Sequence, residues 1–221
     1  MRLKRQVGDS RKCEKMKTVL ITGGIGSGKS AVSAYLISRG VPVYDCDSMT
    51  KRLYDTDSSL VRSLETALGK PLSMPDGSLD RKALAREIFS SGDSLAAVES
   101  IVHPAVLEDF RRWKGTMDQK IQAEGWSGYA GDTPFVAMES AIAMEKPLFA
   151  GSYDAAVLVD APVEIRVERA CRRDSSTREQ ILGRVAAQKF ELAKVDAVID
   201  NDLDLDTLAQ RTDIAFKLLY L

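Results

Sequence analysis

Residues 19–30, VLITGGIGSGKS, constrain this chain more than any other stretch. Val19, Leu20 and Ile21 form a short apolar run that reads as a buried strand. Gly23–Ser30 fits G-x-x-x-x-G-K-[ST], and Ala31–Ile37 continues as an apolar helix. Strand, loop and helix thus follow in the order a phosphate-binding loop requires, which disfavours a merely structural glycine turn. Glycines let successive N–H groups turn inward around a phosphate, and the helix N-terminus adds partial positive charge there. The nucleotide-facing backbone is then Gly24, Ile25, Gly26, Ser27, Gly28, Lys29, Ser30 and Ala31. Lys29 pairs with the β- and γ-phosphates in such a loop, and the Ser30 hydroxyl ligates Mg²⁺.

After Gly40, which suits a helix end, Val41, Val43 and Tyr44 read as a second strand ending in Asp45-Cys46-Asp47. Ligands of open α/β sheets bind beyond the carboxyl ends of the strands, so both acids are expected near the phosphate loop. A regular strand would point both carboxylates to one side. Each acid alone reads equally well as a solvated strand end or as the N-cap of a helix over 48–53. Beside a phosphate loop, the functional reading is favoured for Asp47.

Residues 55–110 read as mostly helical, with Leu60, Leu64 and Leu68 on one face. His103 is the only histidine and precedes Pro104, which suits the first position of a helix over 105–113. A lone histidine at a cap is more often a satisfied structural residue than a functional one. From Gly115 to Thr133 the periodicity weakens, and glycines interleave with Trp126 and Tyr129, which predicts a surface loop. Phe135–Met138 reads as a third strand, followed by Glu139, Ser140 and Glu145. Ala155–Val159, apolar throughout, reads as a central parallel strand; Asp160 ends it and superficially resembles a Mg²⁺-binding strand-end acid.

In the segment 163–190, Arg166, Arg169 and Arg173 share a helical face, and Ser176 with Glu179 fits a capping box opening a helix that carries Arg178 and Arg184. Two helices with inward arginines fit a lid that closes on phosphates; a solvated basic helix pair fits the same pattern. Val195–Ile199 is a last strand, followed by Asp200-Asn201 and a closing helix with Leu208, Ala215, Leu218 and Leu219 buried.

The 221 residues suit one α/β domain with insertions or a small pair of lobes. A net charge of −1 gives no bulk argument for a nucleic-acid or membrane partner, and no apolar run reaches the ~18 residues of a membrane span. Cys13, Cys46 and Cys171 are scattered without C-x-x-C spacing, which fits reduced thiols in the cytoplasm. Residues 1–16, MRLKRQVGDSRKCEKM, are polar and basic; a disordered tail, or a start at Met16, is expected.

These motifs together, GGIGSGKS, VYDCD, LDR at 79–81, IVHPAV at 101–106, RRD at 172–174 with Arg184 and Gln188, and VIDN at 198–201, resemble the dephospho-CoA kinase family in order from about Lys17 to near the C-terminus. The resemblance implies a P-loop NTPase fold: a parallel sheet of about five strands flanked by helices, a helical substrate (CoA) lobe over about 50–113 and an Arg-rich lid over about 162–190. It implies transfer of the ATP γ-phosphoryl group to the ribose 3′-hydroxyl of dephospho-CoA, the last step of coenzyme A synthesis, with Mg²⁺ accompanying ATP. It further implies Asp47 as general base, with Arg81 and His103 in the acceptor lobe; Asp45, closer to the strand, reads as a supporting substrate-side residue or a partner of Mg²⁺-bound water. Arg173 would be the lid arginine, and Asn201 would lie near the adenine. Ala31 stands where the family often has Thr, and AIAME at 141–145 departs from the family's P-L-L-[FV]-E, so Glu145 carries over weakly. A monomer or weak homo-oligomer is expected. Two other readings stay open: a regulatory P-loop ATPase using Asp160 for Mg²⁺, and another small-metabolite or nucleotide kinase.

Overall fold

The computed structural model describes residues 16–174, 177–188 and 190–219. Five strands, β1 (Lys17–Thr22), β2 (Val43–Asp45), β3 (Phe135–Glu139), β4 (Ala155–Asp160) and β5 (Ala197–Asp200), form one sheet in the order β2-β3-β1-β4-β5. Every pairing is parallel. The register sets Ile21 opposite Glu139, Asp45 opposite Glu139 and Asp160 opposite Asp200. All the strand-end acids therefore gather at the edge of the sheet from which the glycine loop leaves β1.

Strand alternation sorts the apolar side chains between two layers. Val19, Ile21, Phe135, Ala137, Val157 and Val159 face α1 (Lys29–Ser38) and α8 (Leu205–Leu219). Leu20, Val136, Met138 and Ala156 face α2 (Cys46–Thr56), α3 (Ser58–Leu68), α4 (Arg81–Ser90) and α5 (Gly92–Glu124). Val19, Leu20 and Ile21 are wholly buried, worth about 1.5–3 kcal/mol each. Met16 is also buried in the second layer, so the expected tail ends before it; residues 1–15 lie outside the described residues.

Three expectations are corrected. The second strand stops at Asp45, which becomes the N-cap of α2, so Asp47 lies in the first helical turn and does not share a strand face with Asp45. No helix begins at Pro104: α5 passes straight through it, its continuity carried by Val98, Val102, Val106, Leu107 and Phe110 buried along one face. The same helix continues past Gly115 to Glu124, with Met117 and Ile121 packed on the core, and only the rest of 115–133 is loop. That loop is not purely superficial: Tyr129 is buried against Phe135 and Phe216, and its hydroxyl donates to Asp213 Oδ1 at 2.9 Å.

Helices α6 (Val163–Asp174) and α7 (Arg178–Ala187) form a hairpin with its own small core of Val167, Ala170 and Ile181, against which Ile25 of the glycine loop packs. The capping box of α7 uses Thr177 and Gln180 in place of Ser176 and Glu179; Ser176 lies outside the described residues. Among the described residues, no helix is long and apolar enough to cross a membrane.

Candidate active site

The glycine loop joins β1 to α1 and is pressed from above by α6. Gly26 has φ 74°, and a Cβ there would stand 2.1 Å from the Arg166 carbonyl oxygen. A Cβ on Gly24 would lie 1.7 Å from Arg166 Nη2. At Gly26 a side chain is thus excluded by packing as well as by backbone conformation, and at Gly24 by the buried Arg166 guanidinium.

Lys29 Nζ donates to the carbonyl oxygens of Gly23 at 2.8 Å and Gly24 at 3.3 Å. Burial pushes its pKa down; the charges of Glu139 and then Asp47 pull it back up, while Arg173 and Arg166 lower it further. Ser30 Oγ donates to Glu139 Oε1 at 2.9 Å. Glu139 is 7% exposed and ends β3, the strand beside β1. The sequence alone left this acid without a role. The available signal was its place at the end of a strand, but only the strand order puts it beside Ser30. Asp160, the acid expected to hold Mg²⁺ in the regulatory-ATPase reading, is half exposed and sits 3.9 Å from Arg166 Nη1.

Asp45 Oδ1 accepts from the Asp47 amide at 3.0 Å and the Ser48 amide at 3.3 Å, and its other oxygen accepts from Ser48 Oγ. Its carboxylate is committed to holding the first turn of α2. Asp47 is left exposed on that turn, where it acts electrostatically on Lys29 and Arg173. Asp47 also lines a cavity of about 430 Å³ between α2, α5 and the end of β3, together with Lys51, Glu99, His103 and Phe149. Burial lowers the His103 pKa from 6.5, against a raising effect of Glu99 and with a further lowering by Lys146. Cys46, on the same wall, has its thiol pushed up to about 12 chiefly by burial, which leaves it a packing residue at neutral pH. Arg81 does not reach the cavity; it donates to Asp55 at 2.7 and 2.8 Å and to the Lys51 carbonyl at 3.0 Å, bracing α2 from behind. Glu145 is exposed on the turn after β3.

The three arginines that share a face of α6 do different things. Arg166, 8% exposed, donates to the Ile25 carbonyl at 3.1 Å and to Gln188 Oε1 at 3.1 Å. Arg169 donates to the Asn201 carbonyl at 3.0 Å, and Asn201 Nδ2 donates to the Ser27 carbonyl at 2.8 Å. Two of the three inward arginines expected for a lid therefore serve the protein scaffold. Arg173 forms a fork with Asp174 at 2.6 and 3.0 Å; this hydrogen bond, the largest influence, raises its pKa, and Asp47 raises it too. Arg184 lies 3.9 Å from the same Asp174.

A central strand entering a phosphate loop, beside a parallel neighbour, β3, whose last residue brings an acid to the loop's serine, defines a P-loop nucleotide-binding protein. Residues 17–207 match the dephospho-CoA kinase family. A dephospho-CoA kinase of Porphyromonas gingivalis is 41% identical over 184 residues, 82% of this chain and 83% of its own. A crystal structure from Thermus thermophilus is 33% identical with a TM-score of 0.71, covering 94% of this chain and 100% of its own. Dephospho-CoA kinase from Campylobacter jejuni, 19% identical with a TM-score of 0.58, covers 92% and 97% and shares the fold. The chain belongs to the dephospho-CoA kinase family: it is a phosphotransferase of the last step of coenzyme A synthesis.

Proposed function

We propose that the transfer runs from ATP on the glycine loop to the ribose 3′-hydroxyl of dephospho-CoA, whose pantetheine-bearing body lies in the α2–α5 cavity. The observation that carries this reading is Asp47, which lines that cavity while its charge acts on Lys29 of the loop. One carboxylate is thus shared between the acceptor space and the donor phosphates. It can orient the hydroxyl and take its proton, and in a loose phosphoryl-transfer transition state orientation is the larger share of the gain. Lys29 holds the β- and γ-phosphates, Arg173 stabilises charge on the transferring group from the α6–α7 lid, and His103 lines the acceptor wall. Asn201, tied to the Ser27 carbonyl, borders the loop on the nucleobase side.

Ser30 Oγ with the Glu139 carboxylate beside it makes a hard oxygen set suited to Mg²⁺. When bound, Mg²⁺ supplies charge neutralisation across the phosphate oxygens. A monomer or weak homo-oligomer in the cytoplasm belongs to the same reading.

The test is ADP release measured with dephospho-CoA, nucleoside monophosphates and shikimate as acceptors. Turnover confined to dephospho-CoA is the expected result. Turnover without any acceptor, or preference for another acceptor, overturns the reading.

A further inference from the structure

Gln188 ends α7, far in sequence from the phosphate loop, yet its Oε1 accepts the Ile25 N–H at 2.8 Å. The same oxygen accepts Arg166 Nη2 at 3.1 Å, and Arg166 Nε donates to the Ile25 carbonyl at 3.1 Å. Both backbone polar groups of Ile25 are therefore held, one by Gln188 and one by Arg166, and the two side chains hold each other. The Ile25 side chain packs on the small core of the α6–α7 hairpin, alongside Val167, Ala170 and Ile181. A Cβ on Gly24 would collide with the same guanidinium. An N–H given to Gln188 is not available to a phosphate, which corrects the expectation that the Ile25 amide faces the nucleotide; the Ser27 amide is likewise given to the Gly24 carbonyl at 3.1 Å.

We propose that Gln188 is a positioning residue for ATP: by clamping Ile25 it presets the shape of the phosphate loop and ties that shape to the position of the α6–α7 hairpin. The proposal rests on the glycine loop being the ATP site. Only the acceptor oxygen of Gln188 takes part in the clamp, so the chemistry predicts which substitutions matter. Glutamate keeps an acceptor for both donors, one of them a guanidinium, and should preserve the clamp. Methionine matches the length but accepts almost nothing.

The experiment compares Gln188→Met, Gln188→Glu and Lys29→Ala in the full chain. It measures the ATP dissociation constant by titration, KM for both substrates, kcat and melting temperature. For Gln188→Met we expect ATP binding weakened about tenfold, because ATP must then order a loop that Gln188 no longer presets. Its KM for dephospho-CoA should stay within about twofold and its melting temperature should fall by only a few degrees, because two hydrogen bonds are lost but no core side chain is removed. Gln188→Glu should bind ATP within about threefold of wild type. Unchanged ATP binding in Gln188→Met, with Lys29→Ala impaired, overturns the proposal and leaves the loop as the site. Equal impairment of the Met and Glu variants also overturns it, as does a loss of affinity for both substrates together with a large drop in melting temperature. Normal ATP binding and turnover in Lys29→Ala overturns the loop assignment itself and the proposal with it.

Discussion

Asp45 and Asp47 are two residues apart; the first caps α2 and the second lines the α2–α5 cavity, so the proposed mechanism makes their roles separable. Asp47→Asn removes the carboxylate that faces the acceptor cavity but disturbs little else, because the side chain is exposed and makes no cap bond. Losing a general base costs about a hundredfold or more in rate, equal to some ~2.7 kcal/mol of transition-state stabilisation. A smaller effect accompanies it. The Asp47 charge supports the protonated form of Lys29, so its removal lowers the Lys29 pKa a little further. ATP binding should weaken no more than about threefold, since the ammonium still donates to the same phosphates. Asp45→Asn keeps an amide oxygen where Oδ1 accepts the Asp47 and Ser48 amides at 3.0 and 3.3 Å. Asn caps helices about as well as Asp, so turnover should fall less than about tenfold. Asp45→Ala removes the cap, costs about 1 kcal/mol of stability and loosens the turn that carries Asp47. The assay is steady-state ADP release with an ATP titration and a melting curve on each purified variant. Normal turnover in Asp47→Asn beside an inactive Asp45→Asn would refute the reasoning and exchange the two roles.

Arg173→Lys should lower kcat about tenfold while KM for dephospho-CoA moves less, because a point charge replaces a planar fork; equal kinetics would assign Arg173 to a solvated helix face. Glu139→Gln should raise the Mg²⁺ concentration for half-maximal activity about tenfold at fixed ATP, the scale seen when a partner of a metal ligand is changed; an unaltered Mg²⁺ curve would count against the Ser30–Glu139 set. The His103 pKa is lowered from 6.5 by burial, so the unfolded chain takes up this proton first as pH falls. Stability should therefore drop as pH falls from about 6.5 toward the folded pKa, and His103→Gln should flatten that part of a melting-temperature profile; identical slopes would refute it.

The phosphate loop was legible in the sequence because its strand, glycines and helix are contiguous. The parallel sheet was legible too, since 19–21 and 155–159 are apolar at every position. What escaped depends on contacts between distant residues. Ser30 meets Glu139, Ile25 meets Gln188 and Ser27 meets Asn201 only once strand order and register are fixed. Arginine spacing on α6 revealed a shared face but not that Arg166 and Arg169 spend their donors on Ile25, Gln188 and Asn201. Local punctuation misled at Pro104 and Gly115, where the cost of each residue inside a helix is outweighed by the buried face of α5. Trp113, Met117 and Ile121 kept helical spacing through that stretch, a signal that the nearby glycines masked.

The most central strand of the sheet is also made early in synthesis. β1 can pair only with β3 and β4, and the ribosome must translate from Thr22 to Phe135 before its first neighbour exists. At 5–20 residues per second this takes on the order of ten seconds. Throughout that interval Val19, Leu20 and Ile21, wholly buried in the finished molecule, have no sheet to join. Helices α2 to α5, made in that interval, can condense locally in microseconds to milliseconds, so the part that forms the α2–α5 cavity should acquire structure before the glycine loop is set. A nascent chain stalled soon after residue 124 would then carry an apolar strand available to chaperones, and release of that strand should coincide with emergence of residues 135–160.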